Sequence, residues 1–149
     1  MPETEPNQQE RPARQGQAGE RLSILHHAPS YFHERSIIGG GERYVLELAR
    51  FQQLAGHDVR LVSYDRHPGS APDQLEGVPL TALRSFHGLG FDRVNPFAWP
   101  SPRLVRRADV VHVHQLCTWV SDACALAAQP GRPALVGTDH VCGGFPVLN

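Results

Sequence analysis

Ser23-Ile24-Leu25-His26, then Gly39-Gly40-Gly41-Glu42-Arg43-Tyr44-Val45-Leu46-Glu47-Leu48-Ala49, then Val59-Arg60-Leu61-Val62-Ser63-Tyr64: these segments, in the stretch that runs from Leu22 to just past Leu61, decide the fold. The first and third are short, apolar and partly β-branched, which suits buried or half-buried strands. Between them the spacing predicts one helix. Val45, Leu48, Ala49 and Gln52 recur at intervals of three and four, Tyr44, Phe51 and Ala55 widen the apolar side, and Glu42, Arg43, Glu47 and Arg50 fall mostly outside it. Gly56 supplies the stop, because glycine tolerates the left-handed conformation that commonly ends a helix. Strand, helix and like strand make a βαβ unit, which requires a parallel pair and a right-handed crossover.

The glycine cluster Gly39, Gly40 and Gly41 reads as the loop before that helix. Three glycines there remove side chains where backbone N–H groups lack helical acceptors, so a phosphate or carboxylate could approach the positive end of the helix dipole. The plainer reading is a flexible turn, and the two stand level on this feature alone. The segment is neither G-x-G-x-x-G nor followed by Gly-Lys-Ser/Thr, so neither the usual dinucleotide fingerprint nor a P-loop is indicated.

Working outward, Met1 to Glu20 is rich in Glu, Gln, Pro and Arg and has no apolar core. It is expected to be a disordered tail covering residues 1–20, neither signal peptide nor membrane anchor, ahead of one α/β domain over 21–149. The whole chain of 149 residues is 40% hydrophobic, enough for a single core. Its net charge of −1 and pI near 6.7 supply no global field for nucleic acid or an anionic membrane. Three cysteines, Cys117, Cys124 and Cys142, form no even framework, which suits a reducing cytosol; the expected place is cytoplasmic, with contact at the inner membrane face as the peripheral variant.

After the first strand, Leu22 to His27, Pro29 breaks the run, and Ser30-Tyr31-Phe32-His33-Glu34-Arg35-Ser36 forms a chemically dense loop at a strand's carboxyl end. That edge is where open parallel sheets bind ligands, although a solvated loop accounts for any single residue equally well. Asp65 to Gly77 reads as loop, and Val78 to Leu83 as a third strand near the sheet edge because Pro79 removes a donor. Arg84 to Pro102 has no clean period, apart from a short helix expected over Pro102 to Arg107. Arg93, Arg103, Arg106 and Arg107 beside Phe97 and Trp99 suit a solvated face over core aromatics better than a weak membrane-surface contact. Asp109 to His114 is a β-branched strand, central and fourth in order; Cys117 to Ala128 is a helix with Val120, Ala123, Cys124 and Ala127 on one face; Pro133 to Thr138 is a fifth strand, with Asp139-His140 at its carboxyl end. The alternation predicts an α/β fold with a doubly wound, Rossmann-like parallel sheet.

Ile24-Leu25-His26, Gly39 to Ala49, Gly56-His57-Asp58-Val59, Asp109-Val110-Val111-His112-Val113-His114 and Val136-Gly137-Thr138-Asp139-His140 stand in the order and spacing of one family. Over about Arg21 to Gly144 the chain resembles the N-terminal domain of family 4 glycosyltransferases, retaining enzymes of the two-domain GT-B fold. The resemblance implies transfer of a sugar from a nucleotide-sugar donor to a sugar or lipid-linked acceptor, with no metal or other cofactor. By motif position, Gly39, Gly40 and Gly41 would approach the donor's diphosphate and His140 would lie near the transferred sugar. Tyr31, His33, Glu42, His114 and Asp139 are the accompanying substrate-binding candidates. In that family a second domain grips the nucleotide and carries a pair of glutamates. No counterpart follows here, so the expectation is a fragment, a truncated frame or one half of a split enzyme, inactive until the C-terminal donor-binding domain is supplied.

Two other classes compete. A non-catalytic α/β module that binds a sugar or a partner subunit shares the fold. A metal-binding protein is suggested by His112 and His114, which alternate on a strand and so share a face, with Cys117, His140 and Cys142 near the same edge; but no zinc spacing such as C-x-x-C or H-E-x-x-H occurs.

Overall fold

The computed structural model describes residues 19–28, 39–86, 88–89, 95–128 and 133–140. In chain order they form β1 (Ser23–His27), α1 (Gly40–Leu54), β2 (Asp58–Asp65), β3 (Gln74–Leu75), β4 (Val78–Arg84), α2 (Pro102–Arg107), β5 (Val110–His114), α3 (Trp119–Ala127) and β6 (Ala134–Thr138). The sheet order is β3-β4-β2-β1-β5-β6, parallel throughout except for the β3–β4 pair. The tail over residues 1–18 and the loop Ser30 to Ser36 lie outside the described residues, as does Arg93.

Both faces of the interior strands β1, β2 and β5 are covered. Ile24, Val59, Leu61 and Leu80 pack beneath Val45, Leu46 and Ala49 of α1. Leu25, Val62, Tyr64, Val111 and Val113 pack on the opposite side against Val105 of α2 and Val120 and Cys124 of α3. Successive strand residues point to opposite faces, and that alternation builds two cores around one sheet. The doubly wound α/β architecture follows directly.

The helix ends have local causes. His57 N–H bonds Gln52 C=O at 3.1 Å and Gly56 N–H bonds Gln53 C=O at 2.9 Å, with Gly56 at φ +96, a Schellman stop. Thr118 caps α3 in a reciprocal box with Ser121, and Ser101 caps α2 ahead of Pro102. The predicted α3 start at Cys117 therefore moves to Trp119. No helix among the described residues is long and apolar enough to cross a membrane.

The sheet holds six strands rather than five. Within the predicted loop Asp65 to Gly77, Gln74 and Leu75 turn back through Glu76 (φ 47) and Gly77 (φ 84) and pair antiparallel with Val78 and Pro79. Positive φ at both central positions is the tight hairpin turn whose twist matches the strands. The helix face also differs from expectation. Leu46 is fully buried, while Phe51 is 71% exposed on the far side with Leu54 and Ala55. Leu46→Ala is therefore expected to cost about 2–5 kcal/mol by opening a cavity at a site with no solvent access, read as the shift in a urea-unfolding midpoint, whereas Phe51→Ala should change it little.

Candidate functional site

From β1 the chain runs outward through β2 to β4 on one side, then crosses to β5 and β6 on the other. The order reverses between β1 and β5, and the crevice outside the carboxyl ends of two such strands is where open α/β sheets hold ligands. The sequence puts histidines there: His26 and His27 close β1, His112 and His114 close β5, and His140 follows β6.

Strand alternation sorts them. His26, His112 and His114 lie on the α1 side and are buried; His27 lies on the other side, its Nδ1 2.7 Å from the Tyr64 hydroxyl. On the α1 side the rings form a continuous hydrogen-bonded row. Gln52 Oε1 sits 2.6 Å from His26 Nε2, His26 Nδ1 lies 2.9 Å from His114 Nε2, and His114 Nδ1 lies 2.9 Å from His140 Nε2. His112 flanks the row, stacked on His114 with centroids 4.1 Å apart, its Nε2 2.6 Å from Thr138 Oγ1. Tyr44 meets the half-buried His140 edge-on at 4.9 Å.

Four of the imidazoles, those of His26, His27, His112 and His114, are biased toward the neutral form. Burial pushes His26 down to about 4, opposed by its Gln52 hydrogen bond and aided by His112. Burial, with the neighbouring His112, His26, His140 and His27, pushes His114 down to about 2. Burial lowers His27 to about 3, and burial with His140 beside it lowers His112. Charging any one of them would place a cation in a poorly solvated cluster of like-charging neighbours.

The start of α1 meets this row. Gly39 is the N-cap in ordinary extended geometry (φ −80), and Gly40 and Gly41 already belong to the first helical turn. The expected three-glycine loop is thus one cap and two helical residues. Gly39 supplies no side-chain cap to the helix start, and unpaired first-turn N–H groups are the kind that bind anions. A Cβ on Gly41 would lie 3.8 Å from His140 Cβ, so the helix start and His140 adjoin. Half-buried Glu42 occupies the space above Gly39, where an added Cβ would come 2.9 Å from its Oε2. It sets a carboxylate against the positive helix end.

Among the other candidates, Asp139 is exposed beside His140, and Tyr31 and His33 lie outside the described residues. Of the two sulfur ligands considered, Cys117 is exposed and Cys142 lies outside the described residues. Among the described residues, the group with metal-ligand spacing is His26, His112 and His114, whose ligand atoms lie within 4.8 Å of one another.

Two features went unread in the sequence. Gln52 is a polar residue on the apolar face of α1, a signal that something polar lies beneath it; that partner is His26. Gln115 takes φ 70 directly after β5, and its Oε1 is buried with no partner among the described residues. A non-glycine residue in left-handed conformation with an unsatisfied acceptor is strain of the kind found beside ligand sites.

At the same edge, on the far side of β2 and β4, a cleft of about 800 Å³ is lined by Arg66, Leu83, Arg84, Phe86, Phe97 and Trp99. Trp99 stands over Trp119 at 5.5 Å, and Trp119 Nε1–H donates to Ala98 C=O at 2.7 Å.

A family model described as Glycosyltransferase Family 4 matches residues 38–146, a span that includes the α1 start, the β5 histidines and His140. No curated protein matches the chain.

Proposed function

The chain belongs to glycosyltransferase family 4, and from that premise we propose that it forms the acceptor-side half of a retaining enzyme that transfers a sugar from a nucleotide-sugar donor. The observation that carries this reading is the meeting of the uncapped α1 start with His140 at the point where strand order reverses. The helix N-terminus offers N–H groups and a positive field to the donor's diphosphate. The imidazole offers a hydrogen bond to the sugar beside it. The acceptor occupies the neighbouring edge of the sheet. There the cleft of Phe86, Phe97 and Trp99 provides apolar faces with guanidinium groups from Arg66 and Arg84, a concave, mostly apolar site with few polar groups.

Charge development at the leaving diphosphate must be met by groups on both sides of it. In this reading the second set comes from a donor-binding domain, so sugar transfer requires both. The test is turnover of a panel of nucleotide sugars by the 149-residue chain, alone and with a family 4 donor-binding domain supplied or fused. Transfer is expected only in the combined sample; turnover by the chain alone would overturn the two-part reading.

A further inference from the structure

Every link in the row Gln52, His26, His114, His140 has the same polarity. The first ring receives Gln52 Oε1 at its Nε2, and each following contact joins an Nδ1 to the next ring's Nε2. A neutral imidazole has one N–H and one acceptor nitrogen. A row of such contacts is therefore satisfied in only two ways: every proton on Nε2, or every proton on Nδ1. A mixed row sets two N–H groups or two lone pairs head to head inside the protein, about 1–3 kcal/mol worse. The carboxamide oxygen at the buried end selects the first arrangement, since it can only accept.

We propose that Gln52 and His26 are positioning residues that fix, through His114, the tautomer of His140, placing its proton on Nε2 and leaving Nδ1 as an obligate hydrogen-bond acceptor. For its consequence in sugar transfer this rests on the function proposed above; the tautomer itself does not. The acceptor atom then suits a hydroxyl group. Tyr44 packs on the same ring, and Gly41 adjoins it.

The same rings could be read as a metal site, but the geometry favours the row. Two nitrogens on a tetrahedral zinc at about 2.0–2.1 Å stand about 3.3 Å apart, whereas His26 Nδ1 and His114 Nε2 are 2.9 Å apart, an ordinary hydrogen bond.

The test is long-range proton–nitrogen correlation on the ¹⁵N-labelled 149-residue chain at pH 8, which reads the tautomer of each ring. His26, His114 and His140 are expected to share the Nε2–H form. In Gln52→Leu an N–H at His26 Nε2 would face hydrocarbon while a bare nitrogen there costs less, so the row should reverse and the Nδ1–H fraction at His140 rise at least several-fold. Gln52→Glu, which can only accept, should restore Nε2–H. A wild-type His140 protonated on Nδ1, or a His140 tautomer unmoved by Gln52→Leu in a folded chain, overturns the proposal. So does a cobalt(II) absorption band that appears as the His26 and His114 links are lost. In a transfer-competent assembly, Gln52→Leu should lower kcat roughly 10-fold with the donor KM unchanged, and Gln52→Glu should recover it. A tautomer that reverses without changing turnover leaves the row standing and removes instead the role of His140 in transfer.

Discussion

Acidification from pH 7.5 to pH 5 is expected to unfold this chain or bring it to the edge of unfolding. Above the ordinary histidine pKa near 6.5, folded and unfolded chains both keep the imidazoles neutral. Below it the unfolded chain takes up protons that the folded chain refuses, because His26, His27 and His114 are pushed down to about 4, 3 and 2. Stability thus falls as pH drops below 6.5 and goes on falling toward those lower values. At pH 5 each of the three rings contributes a loss of about 2 kcal/mol, about 6 kcal/mol together, against a total stability of roughly 5–15 kcal/mol for a domain. His112, also lowered, adds in the same direction. The window lies above the ordinary carboxylate range, so the imidazoles dominate it.

The measurement is a urea-unfolding series at pH 7.5, 6.5, 5.75 and 5. Stability should be flat above 6.5 and then slope by about 1.36 kcal/mol per pH unit for each excluded proton. His27→Asn separates this cause from general acid weakness. It removes a fully buried ring whose Nε2 has no partner among the described residues. The smaller side chain lowers stability at pH 7.5, yet the slope below 6.5 should become shallower by one proton. A stability that stays level to pH 5 would mean that these rings titrate inside the folded chain.

The elements that were legible in the sequence are those whose periodicity is set by burial on one or both faces. β1, β2 and β5 read as β-branched runs because both faces of an interior strand are covered, and α2 was marked by Pro102 at its first turn. β3 could not be read by period, since two residues have none; its signal was the Glu76-Gly77 pair between Leu75 and Val78, a two-residue turn at a strand's edge. On α1 the true face centres on Val45, Leu46 and Ala49, while Phe51 and Leu54 place apolar mass on the exposed side and blur the stripe. The site was half visible. His112 and His114 share a face by strand alternation alone, but their junction with His26 requires β1 beside β5, a pairing made by the crossover after β4 and not by any local pattern. That long-range register turned separate histidines into one row.

Replacing His140 by alanine should lower turnover of the assembled enzyme about 10- to 1000-fold, the range expected when one positioned hydrogen-bonding group is removed from a reacting centre. Folding should survive, because the ring is only half-buried, at the open edge of the sheet, where water can take its place on His114 Nδ1. The expected stability change is within about 1 kcal/mol. His114→Ala is the contrasting variant. That ring is almost fully enclosed and joins His26 to His140, so its loss opens a cavity and strands His26 Nδ1 without a partner, at a cost of about 2 kcal/mol or more. Turnover and melting must be measured side by side in the same two-domain assembly. His140→Ala with reduced kcat and an unchanged Tm would mark a group that acts on the transferred sugar. The reverse pattern, full turnover with a lowered Tm, would make His140 a lid over the buried imidazoles and remove it from the chemistry.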